Sequence, residues 1–211
     1  MKYILFDIDG TLVDGWKSGH AESFNIAIEK VFNIKIDVRK TSVPGMVDKE
    51  IIYKALIKKR ICKDEILKKI NKIINYAIIE YKNVKKIVPT YPSVKKTLEI
   101  LKKNYLLGLS TGNVKKIAFA KLAIPKLEKY FSFGGFGDDG FTRKEVFAKG
   151  KKRAENLGGT IGFVVGDTPS DIESGKANGL ITIGVKTNYD KLDADYMVDD
   201  FKEIVDIVEK Y

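Results

Sequence analysis

From about residue 92 onward, short continuous apolar runs alternate with stretches of helical period, and this alternation restricts the chain to a parallel β-sheet covered by helices on both faces. The runs are YLLGLS (105–110), IGFVVG (161–166) and LITIGV (180–185). A half-exposed strand would alternate apolar with polar residues; these do not, so each is expected to be buried on both sides. Between them the period is helical. Val94, Leu98 and Leu101 share one face of a helix predicted over 92–103, a second helix is predicted over 113–123 after TGN, and Phe201, Ile204, Val205 and Val208 mark a last one. ADYMV (194–198) reads as an edge strand. Residues 3–8 form a further fully buried strand, stopped by Gly10. The expected fold class is α/β.

The first strand is not followed directly by this pattern. From about 18 to 86 the spacing is helical throughout: Phe24, Ile28, Val31 and Phe32 in one stretch, and Ile66, Leu67, Ile70, Ile73, Ile74, Ala77, Ile78 and Tyr81 in another. SVPGMVD (42–48) interrupts it, and Asp48 is a plausible N-cap for a helix carrying Ile51, Ile52, Ala55 and Leu56. The expected organisation is a core of residues 1–14 and 89–211 interrupted by a small antiparallel helical bundle, residues 15–88. That insert holds 17 Lys and Arg against 8 Asp and Glu, whereas the rest of the chain holds 21 against 20, so nearly all of the net charge of +10 sits there. Two readings stand: a solvated lysine-rich surface, or a positive lid that steers anionic substrates, an effect weakened by salt. No nucleic-acid recognition motif accompanies the charge, and nucleic acid is not an expected partner. Cys62 is the only cysteine, which excludes an internal disulfide and a cysteine-ligated metal. No apolar stretch approaches the roughly 20 residues that span a bilayer, and the chain enters its first strand without a signal peptide. A cytoplasmic protein, monomeric or homodimeric, is expected.

In open parallel sheets, ligands bind beyond the carboxyl ends of the strands. Those ends carry Asp7-Ile8-Asp9-Gly10-Thr11, Ser110-Thr111-Gly112-Asn113 and Gly166-Asp167-Thr168-Pro169-Ser170-Asp171, so four aspartates and two hydroxyls are expected on one rim. Carboxylates brought that close repel, and a cation among them relieves the repulsion. Oxygen donors without histidine or cysteine point to Mg²⁺, which keeps positions for water and phosphate. In an extended chain, i and i+2 share a side, and a turn at Gly10 would let Asp7 and Asp9 both approach one phosphorus.

FDIDGT, LSTGN and VVGDTPSDIESG, in that order, resemble the first, second and fourth motifs of the haloacid dehalogenase superfamily in its phosphatase branch. SVPGMVDKEII and FGGFGDDGFTRKEV resemble stretches of its phosphoglycolate-phosphatase-like members. The resemblance covers essentially the whole chain and implies a Rossmann-like core, a helical cap inserted after the first strand, and Mg²⁺-dependent hydrolysis of a small phosphorylated metabolite. It implies that Asp7 is the nucleophile, that Asp9 protonates the leaving oxygen and then deprotonates water, and that Gly10, Thr11, Thr111, Gly112 and Asn113 surround the phosphate. Gly112 would let backbone amides approach at a helix N-terminus. Metal ligands would be the Asp7 carboxylate, the Asp9 backbone carbonyl and the Asp167 carboxylate, with Asp171 behind them or bound through water. The family also places a cation between its second and fourth motifs; Arg143 is the choice from RKEVFAKGKKR (143–153), ahead of Lys144 and Lys149.

Other readings remain open at this level. Ser110 could share the assignment of Thr111. His20 reads as structural or solvent-facing, or as a gate to the site; Trp16 as hinge packing or a substrate platform; Asp14 and Asp48 as turn caps or site residues. A phosphomutase of the β-phosphoglucomutase type would use the same fold and nucleophile. A non-enzymatic basic binding protein is the reading from another class.

Overall fold

In the computed structural model, which describes residues 1–211, the first apolar run becomes the central strand β1 (Lys2–Phe6). The remaining elements are α1 (His20–Phe32), α2 (Asp48–Lys58), α3 (Lys63–Glu80), α4 (Val94–Leu101), β2 (Leu106–Ser110), α5 (Lys115–Ala123), β3 (Phe133–Gly135), α6 (Arg143–Asn156), β4 (Ile161–Gly166), α7 (Pro169–Ala177), β5 (Ile181–Val185), β6 (Tyr196–Val198) and α8 (Glu203–Glu209). The strands form one parallel sheet in the order β3-β2-β1-β4-β5-β6. Strand order therefore reverses beside β1, and the crevice between the carboxyl ends of β1 and β4 is the natural ligand site of such a sheet.

Pleating sends Ile4 and Phe6 to one face of β1 and Tyr3 and Leu5 to the other. The first pair joins Leu107, Leu109, Phe163 and Val165 under α4, α5 and α8; the second packs with Phe147, Ala154 and Val164 under α6. Burying each such side chain is worth about 1.5–3 kcal/mol, which is why continuous apolar runs end up sandwiched. No helix is long and apolar enough to cross a membrane.

Helices α1, α2 and α3 bury a separate apolar cluster that includes Phe24, Ile28, Ile52, Leu56, Ile70 and Ile74. Two residues of α5's N-terminal region, Val114 and Ile117, belong to this cluster and not to the sheet's. The chain enters and leaves the insert side by side: the Asp14 amide donates to the Pro89 carbonyl and the Ile87 amide to the Lys17 carbonyl, both at 2.9 Å.

Several local expectations change. β1 stops at Phe6; the Asp7 amide still bonds Val165, but Leu12 and Val13 turn back to the Ile8 carbonyl, and Gly10 takes φ +87°, a left-handed conformation that favours glycine. Asp7 and Asp9 therefore do not lie along one extended segment. Val47 and not Asp48 caps α2, and the buried Asp48 carboxylate is spent elsewhere. Helix α5 begins at Lys115, two residues later than expected. Trp16 is 82 % exposed and packs no hinge. Strand β3 was not anticipated from FGGF: three residues, two of them glycines, leave no run to read.

Candidate active site

Asp7 follows β1 and Asp167 follows β4, so adjacent parallel strands deliver both carboxylates to the reversal point. Asp171 arrives from the first turn of α7, locked by a capping box: its Oδ2 accepts from the Thr168 amide at 3.1 Å and hydroxyl at 2.6 Å, while the Asp171 amide donates to Thr168 Oγ1. Asp7, Asp167 and Asp171 each offer an oxygen within 4.8 Å of the others. Arg143, the first residue of α6, reaches into this trio. Its Nη2 donates to Asp7 Oδ1 at 3.0 Å, to the Ser110 carbonyl at 3.2 Å, and to Asp171 Oδ1. Lys144 and Lys149 are exposed on the outer side of the same helix.

One guanidinium does not balance three buried carboxylates. Burial pushes the Asp7 carboxyl well above the ordinary carboxylate range; Arg143 opposes this, but Asp171, Asp167 and Asp9 add to it. Burial, then Asp171, lifts Asp167 to about 6. Arg143 loses to burial but is held firmly charged by Asp171 and Asp7. The cluster is short of positive charge, the atoms that could ligate a cation are all oxygen, and Ser110 Oγ and Arg143 Nε are buried without a partner. A hard divalent cation with a phosphate fits those residues.

The other expected residues divide. Thr11 Oγ1 donates to Asp167 Oδ1 at 2.8 Å and so orients that carboxylate. Gly10 supplies the turn. Asp9 stands apart from the trio: Lys121 Nζ donates to its Oδ1 at 2.8 Å and Oδ2 at 2.6 Å, and Asn113 Nδ2 to Oδ2 at 2.9 Å. Burial would raise Asp9, but the charge of Lys121, then of His20, and the hydrogen bonds from Lys121 and Asn113 outweigh it and hold the carboxyl below its ordinary range. Thr111 Oγ1 accepts from Asn113 Nδ2 at 2.8 Å. Two amides at the helix N-terminus behind Gly112 are already held by side chains: Val114 donates to Asp48 Oδ2 at 2.7 Å and Lys115 to Asp138 Oδ2 at 2.8 Å. Gly112 is needed for the insert's approach: its carbonyl accepts from the Asp48 amide at 2.9 Å, and a Cβ there would strike the Met46 carbonyl.

His20 Nε2 lies 3.1 Å from Asp48, a contact between α1 and α2 that serves the insert. Asp14 accepts from the Trp16 amide and turns the chain at the surface.

Two residues at the site escaped the sequence reading. Asn188, on the loop after β5, donates to Asp167 Oδ2 at 2.5 Å, and an asparagine in a polar loop carries no signal of that. Lys121 did carry one: it falls four residues after Ile117 and beside Leu122, on the stripe α5 buries, where a lysine demands a partner.

Comparison with known proteins adds a second line of observation. Residues 4–185 match the family described as haloacid dehalogenase-like hydrolase. A phosphoglycolate phosphatase of Aquifex aeolicus is 31% identical over 199 residues, covering 92% of this chain and 89% of the relative. Among solved structures, a predicted phosphoglycolate phosphatase from Haemophilus somnus superposes with a TM-score of 0.70 at 24% identity, over 99% of this chain and 98% of the other. A β-phosphoglucomutase from Clostridium difficile superposes with a TM-score of 0.69 at 18% identity, over 100% and 96%. These two likenesses establish the fold.

Proposed function

Because the chain belongs to the haloacid dehalogenase-like hydrolase family and is a phosphatase, we propose that it hydrolyses a small phosphate monoester of the phosphoglycolate type, with Mg²⁺, through a phosphorylated Asp7. The observation that carries this reading is the trio Asp7, Asp167 and Asp171, with Arg143 paired to Asp7 and Asp171, where the strand order reverses. The substrate class rests on the Aquifex relative. Family membership removes the non-enzymatic reading of the basic charge.

In this reading an Asp7 carboxylate oxygen attacks phosphorus while the ester P–O bond breaks and its electron pair leaves with the ester oxygen. Arg143 and the Thr111 hydroxyl hold phosphoryl oxygens. Asp9 gives a proton to the departing oxygen and then takes one from the water that attacks the phosphorylated Asp7. Asp9 rests as a carboxylate, so that proton enters with the ester, whose monoanion carries one around its second pKa of about 6. The Asp7 and Asp167 carboxylates and the Asp9 backbone carbonyl would hold Mg²⁺. Asp171, with both oxygens occupied by Thr168 and Arg143, positions the arginine. When bound, Mg²⁺ supplies the positive charge that lets one anion attack another. Residues 1–14 and 89–211 act as the catalytic core and 15–88 as a cap. Gly45 and Met46 of the cap lie against Thr168, Ser170 and Gly112, where they exclude water from the reacting groups.

The test is release of inorganic phosphate from 2-phosphoglycolate by the purified protein. EDTA should stop it and Mg²⁺ restore it; undiminished turnover in EDTA removes the metal from the reading. Conversion of a hexose 1-phosphate to its 6-phosphate without phosphate release would make the protein a mutase instead.

A further inference from the structure

Lys121 is the one lysine whose side chain is wholly buried, at 0% exposure. An ammonium has three N–H donors, and all three have acceptors here: Asp9 Oδ1 at 2.8 Å, Asp9 Oδ2 at 2.6 Å and Asn113 Oδ1 at 2.7 Å. Asn113 closes the ring, its Nδ2 donating to Asp9 Oδ2 at 2.9 Å and to Thr111 Oγ1 at 2.8 Å. No donor is left over for a substrate. Asp9, in contrast, keeps about a third of its side chain exposed, 34%. A buried ion pair is weak evidence of a contribution to stability, because desolvation of the lysine offsets the attraction. Fixing an exposed carboxylate in one orientation is what this arrangement achieves.

We infer that Lys121 is a positioning residue for leaving-group protonation: with Asn113 it fixes the plane of the Asp9 carboxyl so that the proton meets the departing ester oxygen. This rests on the reading of Asp9 as the proton donor. In the step concerned, an Asp7 oxygen forms the new bond to phosphorus, the ester P–O bond breaks with its electron pair going to the ester oxygen, and that oxygen takes the proton from Asp9. Lys121 touches none of the reacting atoms; it acts on Asp9 directly and by way of Asn113. Its loss should therefore be felt according to how much the leaving oxygen needs a proton. An alkoxide leaving group needs one; a nitrophenolate leaves without.

The experiment compares the rate of leaving-group release in a single turnover, which precedes the water step common to both esters, and its half-saturating concentration, for 2-phosphoglycolate and p-nitrophenyl phosphate, in Mg²⁺, for the wild type, Lys121→Met, Asp9→Asn and the double variant. A positioned proton donor contributes about 10²–10⁴-fold. Lys121→Met is expected to lower the rate of release from phosphoglycolate by about 10²-fold and from the aryl ester by less than about fivefold, with the half-saturating concentration nearly unchanged on both. In the Asp9→Asn background, the lysine substitution should cost nothing further on either ester. Equal losses on both esters in Lys121→Met, or an added loss in the double variant, overturn the inference. Should Lys121→Met not fold, because it leaves the Asp9 carboxylate without its cation, the double variant still answers: it has no unpaired charge, and its rates either match those of Asp9→Asn or fall below them. If Asp9→Asn itself slows leaving-group release from both esters equally, the role of Asp9 as proton donor fails and the inference falls with it. Loss of discrimination in the lysine variant alone removes only the lysine.

Discussion

Asp7 sits where a carboxylate is costly, buried beside Asp167 and Asp171 with one arginine to offset three charges. Asp7→Asn should abolish turnover, by more than about 10³-fold and equally on alkyl and aryl esters, with an unchanged far-ultraviolet circular dichroism spectrum; appreciable residual hydrolysis would remove Asp7 as nucleophile. Asp167 allows a test of the same crowding without substrate. Burial, then Asp171, raises its folded pKa from 3.8 to about 6. The folded state thus holds this proton more tightly than the unfolded chain. That contribution is complete below about pH 4 and is lost as pH rises through 6, a difference of up to about 3 kcal/mol. In EDTA, the melting temperature of Asp167→Asn minus that of the wild type should therefore increase from pH 4 to pH 7. A constant difference would show that Asp167 is not held protonated. The aspartates were legible in the sequence because each closes an apolar run or opens a helix. Lys121 was not, because a lysine within a helix reads by default as solvated, and only its place on the buried stripe of α5 argues otherwise.

Among the elements, β3 and α6 show how a weak strand is kept in place. Arg153 on α6 grips Asp139 through both nitrogens, at 2.6 and 2.8 Å, and also donates to the Gly134 carbonyl at 2.6 Å; Asp139 in turn accepts from the Phe136 amide. Burial would raise Asp139, but the Arg153 and Phe136 hydrogen bonds and the charge of Arg153 hold it low. Its stabilisation is therefore present above the ordinary carboxylate range and lost as pH falls through the lower folded value. Arg153→Met should lower stability to urea by about 1 kcal/mol at pH 7, a charge-assisted hydrogen bond reduced for the partial exposure of the arginine. The difference should shrink as pH falls toward about 2, to what the Gly134 carbonyl bond alone contributes; an equal deficit at both pH values would mean that the Asp139 charge is not at work. Strands β1, β2, β4 and β5 announced themselves as apolar runs, since their burial on two faces is written in every residue. β3 is held by partners in α6 and by glycines that let the backbone close on its neighbours, so its own three residues carry almost no pattern.

At the scale of the whole molecule, the helical insert and the sheet meet over the site through Asp48, which bonds the Gly112 carbonyl with its amide and the Val114 amide with its carboxylate. Gly112→Ala would press a methyl group against the Met46 carbonyl, with the Val47 Cα 3.2 Å away. We expect KM for phosphoglycolate to rise about tenfold, within the 1–3 kcal/mol that overpacking costs; an unchanged KM would show that the two parts do not meet here when substrate is bound. The insert itself was legible as helices interrupting a strand pattern, but its grip on the sheet was not, because Asp48 meets a backbone amide and a backbone carbonyl there, which carry no sequence pattern. Val114 and Ile117, which are joined to Thr111 and Asn113 by the chain yet packed among the insert's helices, bear on how the molecule breathes. An outward swing of the insert must either wet those two side chains or drag α5 along. In the second case the same movement that admits a new ester pulls Thr111 and Asn113 off station, so an ajar molecule is an idle one and phosphate chemistry is confined to the shut form.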